Sequence, residues 1–253
     1  MGFDVIEGID RLDLIPSIEE YLFRKKKAHF IQITDRLIKV DDAIKRGYHA
    51  TISDTLEMPI NLTDEELFKM FKTDCRNFIR QFERRGASIE IAKPDEQFAE
   101  EFYEQLKDVF AKQGMVPTFG LNKVKCLLSH LEDRETVLCL RVRDPEGVSI
   151  ATSIFLGYNK KMFFWGGASY RSGQHYRPNE YMIWTAIKFW REKGFDTFDM
   201  IGVRDYKRKF GSHEVQYANI QIAKYPILLT LKNMAQKIYF AGLHIKGKIK
   251  RAK

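Results

Sequence analysis

Apolar and polar residues change rhythm several times along this chain of 253 residues. Phe30-Ile31-Gln32-Ile33 reads as a strand, Leu37 to Arg46 as a helix closed by Gly47, and His49 to Asn61, with Pro59 inside it, as an extended segment. From Thr63 the period becomes helical. Leu67, Met70, Phe71, Cys75, Phe78, Ile79 and Phe82 form one apolar stripe, which predicts a single long helix capped by Thr63 with Glu66 and stopped by Gly86. Arg76, Arg80, Arg84 and Arg85 take its other faces and read as a solvated surface.

After Gly86 the spacing predicts a strand from Ser88 to Ala92, a helix from Asp95 to Gln113 and another from Leu121 to Leu131. Three strands follow, Thr136 to Arg143, Val148 to Tyr158 and Met162 to Ala168. They are separated by Asp144-Pro145-Glu146-Gly147 and Asn159-Lys160, residues that close hairpins. A helix from Pro178 to Lys193 ends at Gly194, and strands from Thr197 to Ile201 and Tyr217 to Ala223 complete the order. The class is α/β without repeats.

Charge changes the picture once it is located. The net charge is +8, and the residues after Glu214 contain no Asp or Glu. They do contain Lys224, Lys232, Lys237, Lys246, Lys248, Lys250, Arg251 and Lys253, so the whole excess is terminal and the body is balanced. From Pro226 onward Leu228, Leu231, Ala235, Ile238 and Tyr239 recur at helical spacing before the lysine-rich end. Such a helix either docks on its own domain or meets anionic lipid headgroups or an RNA backbone. No run is long and apolar enough to span a bilayer and the first residues do not read as a secretory signal, so a cytoplasmic protein is expected. Cys75, Cys126 and Cys139 read as core packing, and no histidine pair has metal-ligand spacing, so neither a metal nor a cofactor is expected.

Four stretches, in their order and spacing, resemble one family. They are Arg76-Asn77-Phe78-Ile79-Arg80 followed by Arg85-Gly86; Trp165-Gly166-Gly167-Ala168-Ser169; Pro178-Asn179-Glu180-Tyr181-Met182-Ile183-Trp184; and Phe198-Asp199-Met200-Ile201-Gly202 with Tyr206-Lys207-Arg208-Lys209-Phe210-Gly211. Together they look like the FemABX peptidyltransferases, built from two GNAT-like halves, which add amino acids to peptidoglycan precursors. The resemblance covers about residues 30 to 225. It implies a mixed, largely antiparallel sheet flanked by helices, with a shortened first half over 1–86, a second GNAT-like domain over 87–225 and a basic amphipathic tail over 226–253.

The implied chemistry is acyl transfer to an amine, which needs a positioned carbonyl, an unprotonated amine and stabilisation of the developing oxyanion and of phosphate on the substrate. No Ser-His-Asp or Cys-His set is apparent, which favours direct attack in a ternary complex. In the resemblance Lys207 lies at the active site and offers positive charge, and Asp199 either accepts a proton from the attacking ammonium or caps neighbouring amides. Arg177 falls where contacts to a substrate diphosphate belong, with Tyr170, Arg171 and Tyr181 around the same helix start. Tyr206, Arg208 and Lys209 flank Lys207 as further binding candidates. The expected donor is aminoacyl-tRNA, with acyl-CoA as the alternative. The expected acceptor is a phosphate-bearing cell-wall precursor, and the basic tail is expected to bring the protein to the inner face of the membrane. The alternatives are an acyl-CoA-dependent N-acyltransferase of an amino sugar or amino acid, and a non-catalytic binding protein that holds RNA or a membrane surface through the tail. An Arg-x-x-Gly-x-Gly loop, which would cradle the pyrophosphate of acetyl-CoA, is absent from the sequence.

Overall fold

The computed structural model describes residues 5–131 and 135–251, with the side chains of 244 and 246–251 outside the description. Helix α1 (Arg11–Glu20) and a π turn (Tyr21–Lys25) lead to β1 (Phe30–Asp35), α2 (Val40–Lys45), β2 (His49–Pro59), α3 (Asp64–Met70) and α4 (Thr73–Arg84). Next come β3 (Ser88–Ala92), α5 (Glu96–Lys112), α6 (Leu121–Leu131), β4 (Val137–Arg143), β5 (Ser149–Tyr158) and β6 (Lys161–Ser169). A 3-10 helix (Arg171–Tyr176), α7 (Pro178–Glu192), β7 (Thr197–Asp199), a second 3-10 helix (Asp205–Phe210), β8 (His213–Ala223) and α8 (Ile227–Arg251) follow. This is the expected α/β class, with largely antiparallel strands flanked by helices.

The chain divides into two compact units, Met1–Thr55 with Glu214–Gly242, and Leu56–His213 with Leu243–Lys253. In the first, β1 and β8 pair antiparallel from Phe30 opposite Ala223 to Asp35 opposite Ala218. Ile31, Ile33, Ala218, Ile220 and Ile222 bury one face of that pair against Leu12 and Ile15 of α1 and Ala43 of α2.

In the second unit the order is β2-β7-β6-β5-β4-β3. The pairs are antiparallel except β6 with β7, which run parallel. Successive strand residues point to opposite faces, and the two faces carry separate cores. Leu138, Leu140, Val142 and Phe155 pack with α4 and α7, where Cys75, Ile79, Met182, Ile187 and Trp190 are buried. Cys139 and Ile154 pack with Phe98, Phe102 and Leu106 of α5 and Val124 and Leu128 of α6. The shared core of α4 and α7 places the expected boundary after Gly86 inside this unit.

Three expectations need correction. The long helix after Thr63 is two helices: Phe71 (ψ 140°) and Lys72 (ψ 154°) are extended, and the amide freed at Lys72 donates to the carbonyl of Lys209 at 2.8 Å. The strand read to Ile201 ends at Asp199, and Ile201 adopts a left-handed backbone (φ 51°). Cys126 lies exposed on α6, whereas Cys75 and Cys139 are in the core. The terminal helix is half-buried near its start, at Leu228, Leu229 and Lys232, and again at Gly242 and Leu243, while Asn233 to Ala241 between them are exposed around the whole helix. The part of the basic tail that carries Lys246, Lys248, Lys250 and Arg251 has its side chains outside the described residues, as does Lys253 entirely.

Candidate active site

Strand β6 pairs with β7 only from Lys161 opposite Thr197 to Phe163 opposite Asp199, and continues to Ser169 paired with β5 alone. A bulge assists the departure. Phe155 faces Phe164 and Ile154 faces Gly166, so Trp165 is the extra residue and the strand bends there. A cleft of about 240 Å³ lies along this stretch, lined by Phe164, Gly167, Ala168 and Ser169 of β6, Ser153 of β5, Val109 of α5, Gln174 of the first 3-10 helix, Asn179, Met182 and Ile183 of α7, and Tyr206. Gly167 keeps it open, since a Cβ there would stand 3.0 Å from the ring of Phe164.

Lys207 sits behind this wall. In a 3-10 helix residues three apart share a face, and over Asp205–Phe210 the two residues turned inward are Lys207 and Phe210. Lys207 is only 5% exposed. Its ammonium donates to the carbonyls of Met200 at 2.6 Å and Ile201 at 2.8 Å. It also lies 5.6 Å from the centre of the Phe164 ring and 5.8 Å from that of Tyr206. Burial lowers its pKa to about 8, with Arg204 lowering it further and Asp199 opposing. Asp199 is buried, and its Oδ1 accepts from the amide of Ile201 at 2.8 Å. Asp199 and Lys207 thus hold opposite sides of the strained turn at Met200-Ile201. Tyr206 is half-exposed, and burial raises the pKa of its hydroxyl.

A second cluster surrounds Phe78 of α4. Arg177 caps α7 in a left-handed conformation (φ 61°, ψ 45°), with its guanidinium 4.2 Å from the centre of the Phe78 ring and its Nε buried without a hydrogen bond. Lys209 lies 5.5 Å from the same ring and is ion-paired with buried Glu180. Tyr181 stacks on Phe82 with ring centres 4.1 Å apart. Arg171 and Arg208 are exposed. Tyr170 lies just beyond β6, where burial raises its pKa and Glu104 and Asp108 of α5 add to the effect. The structure therefore places Lys207 and Asp199 on the Met200-Ile201 turn, puts Tyr206 in the lining of the cleft, and groups Arg177, Lys209 and Tyr181 around Phe78 and Phe82.

Ser153, Gln174 and Asn179 line the cleft and were not singled out from sequence. Thr152-Ser153, a polar pair inside the apolar run of β5, was the one available signal. Burial pushes the thiols of Cys75 and Cys139 up to about 12, and the sulfur of exposed Cys126 lies 3.7 Å from His130 Nδ1 within α6. Among the described residues no cluster of His, Cys, Asp and Glu could hold a metal.

This geometry has relatives. Residues 69–208 match the family described as Acetyltransferase (GNAT) domain. Lipid II:glycine glycyltransferase of Staphylococcus aureus is 26% identical over 153 residues, covering 59% of this chain and 34% of that protein. The chain thus spans about a third of the length of the curated relatives it matches. Among solved structures, FemX superposes with a TM-score of 0.70 at 16% identity, covering 82% of this chain and 76% of that one. L-PGS from Bacillus licheniformis gives 0.58 at 13%, covering 87% and 76%. With the family match spanning more than half of its length, the chain belongs to the GNAT acetyltransferase-domain family.

Proposed function

We propose that the protein is an aminoacyltransferase that moves an activated aminoacyl group, carried by aminoacyl-tRNA, onto an amine of a peptidoglycan-type precursor. The observation that carries this reading is the cleft opened where β6 leaves β7, with the buried cation of Lys207 behind its wall. The similarity to lipid II:glycine glycyltransferases supports the acceptor class. The missing Arg-x-x-Gly-x-Gly loop counts against acetyl-CoA as donor.

The step is direct. The acceptor amine attacks the ester carbonyl of the donor, a C–N bond forms and the C–O bond to the ribose breaks, and the proton lost by the nitrogen leaves on the ribose hydroxyl. Positive charge near the oxyanion lowers the barrier, and Lys207 supplies it either directly or by fixing the turn that lines the site. Asp199 supports the same turn through the amide of Ile201 and is the candidate acceptor for the ammonium proton. Arg177 supplies charge to substrate phosphate, with Tyr170, Tyr181, Arg208 and Lys209 bordering the substrate.

The test is to incubate the protein with charged tRNA or acyl-CoA together with lipid-linked muramyl peptide or an amino sugar, and to follow acyl transfer by mass spectrometry. Mass gain on the muramyl peptide from charged tRNA is the expected result, and transfer from acyl-CoA alone would overturn the donor. A second prediction concerns Arg177. Glycine adopts its backbone angles without strain, which offsets part of the lost stacking on Phe78, so Arg177→Gly should lower the melting temperature only modestly. It should also raise KM for the phosphate-bearing substrate roughly tenfold, the value of one charge-assisted contact. An unchanged KM removes Arg177 from the site.

A further inference from the structure

Helix α8 presents an apolar stripe to solvent. Ile227, Leu231, Met234, Ile238 and Ile245 follow one another at intervals of three, four or seven residues, which places them on one side of the helix. Their exposures run from 51% at Leu231 to 69% at Ile238. Single exposed apolar residues are ordinary, but a contiguous row marks an interaction surface. Tyr225, Tyr239 and Phe240 are exposed as well. No described helix is long and apolar enough to cross a membrane.

Charge identifies the occupant. The eight basic residues after Glu214 equal the chain's entire net charge of +8, and no acidic residue accompanies them. Two copies of α8 laid stripe to stripe would bring lysines together with no carboxylate to pair with them, which disfavours self-association. An anionic lipid surface instead offers hydrocarbon to the stripe and headgroup charge to the lysines, each adding about 1 kcal/mol near such a surface. Tyrosine and phenylalanine suit the boundary between the two. We infer that α8 is a peripheral membrane anchor that lies in the plane of an anionic bilayer, stripe inward. Lys232 bonds Gln221 at 3.0 Å and lies 5.2 Å from the centre of the Phe30 ring, so it fastens the root of the helix to the β1–β8 pair, and the stripe residues Leu231, Met234 and Ile238 beyond that root are exposed.

The experiment is sedimentation of the full chain with vesicles of phosphatidylcholine alone and of phosphatidylcholine mixed with phosphatidylglycerol. Binding should require the anionic lipid and weaken with salt. The double variant Leu231→Ser, Ile238→Ser should lower it about tenfold or more, through lost apolar burial. Both positions are exposed, so helix content and melting temperature should not move. Vesicle binding that the double variant retains in full, absence of binding to either vesicle, or a stripe-dependent dimer in analytical ultracentrifugation would each overturn the inference. Transfer to a water-soluble muramyl peptide, measured on the same variant, reports on the catalytic reading separately. It should be unaffected by the double substitution, and a matching loss there would show that the stripe serves the catalytic domain instead of a membrane.

Discussion

Lys207→Met is expected to lower kcat/KM for transfer by on the order of a hundred- to a thousandfold, the loss that follows removal of one positioned donor to a developing oxyanion. It should also abolish the alkaline limb of the pH profile. Burial, then Arg204, bring the Lys207 ammonium down to about 8 while Asp199 opposes them, so activity that depends on the cation falls as pH rises through that value. The acceptor amine loses its proton over the alkaline range and gives the rising limb, so the wild-type profile is bell-shaped. Stability moves the other way. Below pH 8 both folded and unfolded chains carry the proton, and the cost of burying the charge is present in full. Between about 8 and the ordinary 10.5 the folded chain releases the proton first, and stability on this residue's account rises. An activity loss above pH 8 without a fall in melting temperature therefore reports the site and not unfolding. Lys207→Arg, whose guanidinium stays charged, should retain part of the rate and lose the limb. If Lys207→Met keeps an alkaline limb near 8, the lysine serves only to brace the turn.

Much of this was legible in the sequence, for reasons that differ from element to element. The antiparallel strands β3 to β6 announce themselves because hairpin turns at Asp144-Pro145-Glu146-Gly147 and Asn159-Lys160 are local chemistry, and α5 and α7 because Asp95 and Pro178 mark their starts. The break between α3 and α4 was not legible. Leu67, Phe71, Cys75, Ile79 and Phe82 are all buried, so the apolar period runs on through the break. What stops the helix is a hydrogen bond to Lys209, far along the chain. Ile201 misled for a similar reason. A β-branched residue after Thr197-Phe198-Asp199-Met200 continues a strand by every local rule, and its left-handed backbone is held by Asp199 and Lys207.

The candidate site was legible as a neighbourhood and not as a division of labour. Lys207, Arg208 and Lys209 are adjacent and chemically alike, and in the sequence the family resemblance alone singles out Lys207, without a physical reason that tells the three apart. The 3-10 helix supplies one: its three-residue repeat turns Lys207 inward with Phe210, leaves Arg208 exposed and sends Lys209 to Glu180. The stripe of α8 was legible as a helical face, but whether it packs on its own domain or faces outward was left open. Spacing identifies a face but not what covers it.

Gly211→Ala should be the most damaging single-methyl change near the site. Gly211 closes the 3-10 helix with φ +74°, and a Cβ on it would stand 2.6 Å from the carbonyl oxygen of Met70 and 2.8 Å from the Met70 Cβ. That carbonyl belongs to the end of α3, where the backbone turns extended and Lys72 donates to Lys209. The glycine, the helix break and the lysine-bearing turn are thus one packed unit, and the clash is with main chain that cannot rotate away. The left-handed conformation costs alanine about 1 kcal/mol and the forced displacement roughly 1 to 3 more, so melting should fall by on the order of 5 to 15 °C. Gly194→Ala separates the two contributions, because Gly194 has the same kind of backbone (φ +80°) with nothing within 4 Å of its Cβ direction. It should lose only the conformational part. If the two variants melt together, the contact with Met70 does not constrain the turn. If Gly211→Ala melts lower, as expected, the displaced main chain at Met70 and Lys72 moves the segment that carries Lys207, and kcat should fall in the residual folded protein at temperatures well below its melting point.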